Sequence, residues 1–276
     1  MKDAYVAGIG MTVFGKSQTR GVRSYAEEAA RQALEESGLE ASSIDRVYFS
    51  NAIGGLITGQ EMIRGQAALR HLGLDGVPII NVENACASGS TAISLALQDI
   101  RSGLAENVLV VGAERMSHED KHTTFDAIAR AIDLDEAQEL KDEYDLGQSA
   151  SGSLFMEIYA HEAKDYSRRT GATAQDFAEV AAKSRANGEL NPRAQYRQAV
   201  NAGEVLTSRV ISDPLTLLMC SPIGDGSAAV VLSSNVAMPS PDIPAVRILA
   251  SEIATATHDG ENVVTRAAKR AYQRAD

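Results

Sequence analysis

Short apolar runs alternate with helical stretches along most of the chain. The apolar runs predict β-strands at residues 4–9, 46–50, 77–82, 107–112 and 227–233. Between them, apolar residues at helical spacing predict helices at residues 24–38, 62–71, 88–102 and 176–187. Because the strands are apolar throughout and are separated by helices, we predict a layered α/β fold. Its sheet should be largely parallel, with helices on both faces.

The first helix carries signals for both of its ends. Ser24 and Glu27 have the spacing of a capping box, in which a hydroxyl and a carboxylate satisfy amides of the first turn. Gly38 suits the left-handed residue that follows many helices. We therefore predict that this helix starts at Ser24 and ends near Gly38.

Two segments interrupt the alternation. Residues from about 115 to 180 are polar and carry few strand signals, so we expect an inserted loop region over the functional site. The proline-rich residues 239–244 predict a linker. Beyond it, a strand-like stretch at 245–255 and a helical stretch from Glu261 repeat the first strand and helix. We predict an N-terminal domain at 1–238 and, at 239–276, the linker and the start of an incomplete second domain. A chance similarity of two alanine-rich helices is the alternative.

Composition and charge exclude some classes of function. The 276 residues carry a formal net charge of -11, which argues against a nucleic-acid-binding protein. No stretch approaches the roughly 20 apolar residues of a membrane helix, and the first ten residues do not resemble a signal peptide. Two cysteines are too few for a disulfide framework and suit a reducing compartment. We expect a soluble, cytoplasmic protein that binds neither nucleic acid nor membrane.

One of the cysteines has the setting of a nucleophile. Cys86 lies between an apolar strand and an amphipathic helix, and most of its neighbours are small. A helix N-terminus favours thiolate over thiol and can stabilise a developing oxyanion, while small neighbours let a thioester carbonyl approach. The alternative is a buried cysteine that serves as a small apolar residue.

A family resemblance supports the catalytic interpretation. Residues 83–90, which read ENACASGS, resemble the nucleophile motif of thiolases. Residues 220–229, which read CSPIGDGSAA, resemble the segment that closes the thiolase N-terminal domain. Residues 211–216 and the opening AYVAGIGMTVFG are similar to sterol-carrier-protein-x and bacterial lipid-transfer thiolases. The chain thus resembles the N-terminal domain of such an acetyl-CoA acetyltransferase, followed by the start of the C-terminal domain.

The resemblance implies an activity. Cys86 would take an acyl group from a 3-oxoacyl-CoA or acetyl-CoA, and a second thiol or acetyl-CoA would complete thiolysis or Claisen condensation. No cofactor is implied, because coenzyme A is a substrate. Ser221 would lie beside the pantetheine arm, and Cys220 would be structural. In the family, the activating histidine and the second catalytic cysteine come from the C-terminal domain. We therefore expect that these 276 residues alone would not turn over an acyl-CoA substrate catalytically.

The resemblance also implies a fold, partners and alternatives. It implies the family's αβαβα layers with a mixed, mostly parallel sheet, and a homodimer or homotetramer whose contact involves residues 79–84. The alternatives are a lipid-transfer-type aldolase that works with a partner subunit, and a non-catalytic subunit that binds acyl-CoA within a larger complex. The sequence does not reveal the acyl chain or the direction of the reaction.

Two other motifs are weak. His118, Glu119 and His122 match a zinc-peptidase pattern, but the surrounding residues offer no buried helical face, so we expect no metal site. Gly8 and Gly10 begin a dinucleotide-binding pattern that lacks its third glycine.

Overall fold

The structure is a computed structural model that describes residues 2–17, 19–143, 153–235, 246–257 and 260–276. It divides into two compact units. The sheet unit consists of Met1–Thr12, Thr19–Arg115 and Asp225–Asp276. The helical unit consists of Val13–Gln18 and Met116–Gly224. The predicted linker at 239–244 lies outside the described residues.

The elements follow one another in chain order. The strands are β1 (Tyr5–Met11), β2 (Arg46–Ser50), β3 (Ile79–Val82), β4 (Asn107–Glu114), β5 (Val210–Ser212), β6 (Leu215–Thr216), β7 (Gly226–Ser233) and β8 (Val246–Arg247). The helices are α1 (Val22–Ser37), α2 (Gly54–Thr58), α3 (Arg64–Leu69), α4 (Ser88–Ser102), α5 (Lys121–Ile128), α6 (Ala137–Glu143), α7 (Leu154–Thr170), α8 (Ala174–Leu190), α9 (Ala202–Thr207) and α10 (Val263–Ala275). Among the described residues, no helix is long and apolar enough to cross a membrane.

The sheet unit is built on one sheet with the strand order β3-β2-β4-β7-β1-β8. Strand β2 is parallel to β3 and β4, whereas β7 is antiparallel to both β4 and β1. Strands β1 to β4 therefore run in one direction, and β7 and β8 run in the other. This confirms the predicted α/β class and the mixed, mostly parallel sheet.

Helices cover both faces of the sheet. One core combines Val47 and Phe49 of β2 with apolar residues of α1 and α3. The other combines Tyr48 of β2 with Ala96 and Ile100 of α4. Because successive residues of a strand point to opposite faces, a strand with helices on both sides must be apolar at every position. That requirement explains the continuous apolar runs in the sequence.

The predicted start of α1 is wrong. The helix begins at Val22 after Gly21, and Ser24 lies inside the first turn, where its hydroxyl accepts a hydrogen bond from Arg20. The capping box therefore does not form. The predicted end is confirmed, because Gly38 adopts the left-handed conformation with φ 67°.

Two further expectations are corrected by the structure. The region predicted as an irregular insertion contains α5, α6 and α7. These helices bury few residues, and α7 buries only Ala160, so the sequence shows little apolar periodicity there. In the stretch predicted to be strand-like at 245–255, β8 is the one described strand, and it is two residues long.

Gly8 and Gly10 serve packing rather than nucleotide binding. Both lie within β1, and α1 crosses it closely. A Cβ atom at Gly8 would lie 2.2 Å from the carbonyl oxygen of Ala33, and one at Gly10 would lie 1.9 Å from that of Ala29. The two glycines therefore let the helix backbone approach the strand.

Candidate active site

Cys86 lies at the C-terminal ends of the parallel strands of the sheet. It sits in a short 3-10 turn, Ala85–Ala87, between β3 and α4, and its side chain is exposed. Helix α4 begins two residues later at Ser88, which is the boundary that the sequence predicts. The strand, turn and helix thus present the thiol to solvent rather than bury it in the core.

A serine fixes the turn that carries Cys86. The hydroxyl of Ser88 accepts a hydrogen bond from the Asn84 amide at 2.8 Å and donates one to the Ala85 carbonyl at 2.7 Å. Ala85 has φ 43°, a left-handed conformation that costs a residue with a side chain roughly 1–2 kcal/mol. Such strain is typical of functional sites, where the surrounding structure holds the backbone in place.

The start of α4 provides an electrostatic setting for a thiolate. Its N-cap is Ala87, which has no side-chain acceptor, and its first turn contains no acidic residue. The first amides of the helix therefore keep their partial positive charge beside Cys86. Such a charge favours a thiolate and can stabilise an oxyanion on a bound thioester.

A polar network that sequence analysis missed joins the neighbouring strand ends. Glu114, at the end of β4, accepts hydrogen bonds from the side-chain amide of Asn51 and the backbone amide of Ala52, both at 2.8 Å. Arg64 donates to Asn51 Oδ1 at 2.8 Å, and the Asn51 amide donates to the Val82 carbonyl at 3.3 Å. The network thus ties β2 and β4 to the end of β3, four residues before the thiol. Polar residues at or just after the ends of the apolar runs, Asn51 and Glu114, were the available signal.

Burial raises the pKa of the Glu114 carboxyl above its ordinary value of 4.5, although its hydrogen bonds and the charge of Arg64 oppose this shift. A raised pKa means that the folded protein binds this proton more tightly than the unfolded chain does. The free energy of unfolding therefore falls as the pH rises from the unfolded pKa through the folded pKa.

We expect Glu114→Gln to lower the free energy of unfolding by about 1–3 kcal/mol, because its amide places two N–H donors against groups that themselves donate, where a protonated carboxyl places only one. The difference from wild type should be largest near pH 4 and should narrow toward neutral pH, because only the wild type carries the Glu114 carboxyl, whose contribution to stability is lost as the pH rises. Urea unfolding at several pH values measures this difference. A difference that widens with pH would contradict the raised pKa.

The other two residues singled out by the sequence lie in the helical unit. Cys220 is partly buried, its thiol donates to the Thr216 carbonyl at 3.4 Å, and burial raises its pKa. A protonated, hydrogen-bonded thiol suits a structural role. Ser221 is exposed in the segment between β6 and β7.

The zinc-peptidase pattern does not form the required geometry. His118 lies outside α5 and His122 lies inside it, because Asp120 is the N-cap and accepts a hydrogen bond from the His122 amide. The two histidines therefore do not share the face of one helix. In the part of the chain that the structure describes, no group of three or more His, Cys, Asp or Glu side chains could hold a metal ion.

Comparison with known proteins shows the family of the chain. The family model described as "Thiolase, N-terminal domain" matches residues 4–236. The chain belongs to the thiolase family. The opening residues, the Cys86 turn and the segment that contains Cys220 all fall inside this match.

Curated thiolase-family relatives carry related names. The chain is 34% identical to an "Acetyl-CoA acetyltransferase" of Methanothermobacter thermautotrophicus, and the match covers 100% of this chain and 70% of the relative. It is 33% identical to human "Sterol carrier protein 2", with 92% of this chain and 46% of the relative covered. The chain thus spans about half of the human protein's length.

Solved structures show the same fold. An "Ltp2-ChsH2(DUF35) aldolase" is 26% identical, with a TM-score of 0.65, covering 84% of this chain and 56% of that one. A "monomeric SCP2-thiolase like protein type 1 (STLP1)" from Mycobacterium smegmatis is 17% identical, with a TM-score of 0.66 over 99% of this chain and 57% of that one. The second likeness concerns the thiolase fold alone.

Proposed function

We propose that the protein transfers acyl groups from acyl-CoA thioesters through an acyl-enzyme on Cys86. The observation that carries the proposal is the exposed thiol in a strained turn at the start of α4. Membership of the thiolase family and the acetyltransferase name of the archaeal relative support it. The substrate class is a 3-oxoacyl-CoA or acetyl-CoA, with coenzyme A as substrate and no further cofactor.

The chemistry proceeds in two steps. The Cys86 thiolate attacks the carbonyl carbon, and the amides at the start of α4 stabilise the oxyanion. The bond from that carbon to its leaving group breaks. The leaving group is the coenzyme A thiolate when acetyl-CoA reacts, or the acetyl-CoA carbanion when a 3-oxoacyl-CoA reacts, and it takes up a proton. In the second step, coenzyme A or acetyl-CoA loses a proton. The resulting thiolate or carbanion attacks the carbonyl carbon of the Cys86 thioester, forms the new acyl-CoA and releases the Cys86 thiolate.

Release of coenzyme A tests the first step. Incubation with acetyl-CoA should release free coenzyme A in a stoichiometric burst from the wild type and none from Cys86→Ala, as quantified by chromatography. Cys220→Ala is the matched control and should give the wild-type burst. Ser221→Ala should require more acetyl-CoA for the same burst if Ser221 contacts the pantetheine arm. A burst that survives Cys86→Ala would refute the acyl-enzyme.

The alternative function is a retro-aldol cleavage, carried out with a partner subunit. The 26% identity to the aldolase structure favours it as the second candidate. An aldolase would retain its activity in Cys86→Ala, whereas the acyltransferase would lose it. A non-catalytic acyl-CoA-binding subunit would bind the thioester without release of coenzyme A.

A homodimer through residues 79–84 is part of the proposal. Strand β3 is the edge of the described sheet, and an exposed edge can pair with a second copy. Met62 and Ile63, just before α3, are exposed apolar side chains at 77% and 62%. Sedimentation velocity at micromolar concentration should show a dimer, and a monomer would contradict this interface.

We also propose the domain boundary and the compartment. The family match ends at residue 236, which supports an N-terminal domain at 1–238. Limited proteolysis should cut first within 239–244, and a first cut elsewhere would contradict the boundary. Both cysteines are free, which supports the cytoplasm. Recovery of the protein from another cell fraction would contradict this location.

A further inference from the structure

The sheet unit contains a cavity that the proposed acyl transfer does not use. Its volume is about 770 Å³, and its lining comes from the first half of α1, from residues 51–68 and from Arg115. This volume lies within the range of roughly 300–1,000 Å³ of small-molecule sites. Helices α1 and α3 pack on one face of the sheet, and α4, which follows Cys86, packs on the other.

Four arginines line the cavity: Arg23, Arg31, Arg64 and Arg115. Arg23 donates to the Ala67 carbonyl and Arg31 to the His71 carbonyl, each at 3.1 Å, so backbone contacts hold their side chains. Within the described ranges, none of the four forms a salt bridge with a carboxylate. In a protein of net charge -11, this local positive charge favours an anionic ligand.

The carboxylates of the cavity do not neutralise these arginines. Two glutamates, Glu27 and Glu28, belong to the lining. Glu28 already pairs with Arg20 at 2.6 Å. Among the described lining residues, Glu27 is the one carboxylate without a salt bridge, and Glu114, whose charge acts on Arg64, lies outside the lining.

Two buried polar atoms of the lining lack partners. Arg115 Nε and Glu27 Oε1 are buried, and neither makes a hydrogen bond to any described residue. A buried donor or acceptor without a partner costs roughly 1–3 kcal/mol. Since both residues line the cavity, the accessible atoms of the same two side chains offer donors to an anion and an acceptor to an N–H or O–H group.

The start of α1 adds anion-binding groups. Gly21, Val22, Arg23 and Ser24 all line the cavity, the N-cap Gly21 has no side chain, and the first turn contains no acidic residue. The amides of this turn therefore carry partial positive charge at the cavity, as in many phosphate sites.

We propose that this cavity binds an organic phosphate that carries a hydroxyl or amino group. The phosphate accepts hydrogen bonds from Arg115, Arg23 and the first amides of α1. The hydroxyl or amino group donates to Glu27. A simple carboxylate would satisfy Arg115 but would leave Glu27 without a donor, so it fits less well. No described residue of the Cys86 turn lines the cavity, although Asn51 and Arg64 belong both to its lining and to the network at the strand ends.

Isothermal titration of the full chain at constant salt tests the site, with adenosine monophosphate, inorganic phosphate and adenosine as probes. Adenosine monophosphate should bind the wild type, and uncharged adenosine should not. Arg115→Met should lower the affinity for adenosine monophosphate by about tenfold or more, the equivalent of one charge-assisted hydrogen bond. Arg23→Met should also lower the affinity for adenosine monophosphate. Because Arg23 is exposed, this variant tests the site even if Arg115→Met misfolds.

Glu27→Met separates the two halves of the proposal. It should lower the affinity for adenosine monophosphate, because it removes the acceptor for the hydroxyl or amino group. The affinity for inorganic phosphate should stay the same or rise, because a negative charge is removed. Tighter binding of both probes would overturn the role of the hydroxyl or amino group. Arg70→Met, at an exposed arginine outside the cavity, and Cys86→Ala should both bind like wild type. No saturable binding of either phosphate probe at millimolar concentrations, or equal binding by Arg115→Met, would overturn the site.

Discussion

Gly10→Ala should lower the free energy of unfolding by about 3 kcal/mol, because a Cβ atom there collides with the backbone of α1. Its nearest neighbours would be the Ala29 carbonyl oxygen at 1.9 Å and the Ala33 amide nitrogen at 2.8 Å. Backbone atoms in the middle of a helix cannot rotate away as the end of a side chain can. Either α1 or β1 must therefore move, and both belong to the core of the sheet unit.

Gly15→Ala is the matched control, since a Cβ atom at Gly15 would meet nothing within 4 Å. We expect it to change stability by no more than about 0.5 kcal/mol. Urea unfolding followed by circular dichroism measures both variants. Equal stabilities for the two would show that the close contact between β1 and α1 is not needed for the fold.

Asp99→Ala should lower the free energy of unfolding by about 2–3 kcal/mol. Asp99 in α4 accepts a hydrogen bond from Arg46 at 2.8 Å and from the Tyr48 hydroxyl at 2.6 Å, and both donors belong to β2. Burial raises the pKa of Tyr48, which keeps its hydroxyl protonated as a donor. Loss of the carboxylate leaves both donors without this partner. The effect stays below that of a fully buried pair, because the Arg46 side chain is 29% exposed.

A double variant distinguishes the ion pair from a general packing defect. Arg46→Met in the Asp99→Ala background should restore part of the lost stability, because no unpaired charge then remains. Asp75→Ala, at an exposed aspartate before β3, should change stability by no more than about 0.5 kcal/mol. If the double variant were as unstable as the sum of its parts, Asp99 would act without Arg46.

The sequence was sufficient to predict the strands and helices whose buried apolar residues recur at a regular spacing. Strands such as β2 and β4 are apolar because helices cover both of their faces, so their runs are easy to recognise. The start of α4 at Ser88 was predictable for the same reason. In the helical unit, α8 was predicted at residues 176–187, whereas α7, which buries only Ala160, was not.

The site could be predicted only in its local part. Cys86 and its turn are contiguous in the chain, so a motif reveals them. Glu114 and Asn51 are 63 positions apart and meet only because parallel pairing places the ends of β2 and β4 side by side. The same holds for the cavity, whose arginines come from α1, α3 and the end of β4. Such groupings depend on strand order, which periodicity does not fix.

Intact-protein mass spectrometry after incubation with acetyl-CoA tests the central claim most directly, because it detects the acyl-enzyme itself. The wild type and Cys220→Ala should each gain the mass of one acetyl group, and peptide mapping should place it on Cys86. Cys86→Ala should gain nothing. An acetyl group on another residue, or no gain in the wild type with acetyl-CoA or acetoacetyl-CoA, would contradict the acyl-enzyme and favour the aldolase.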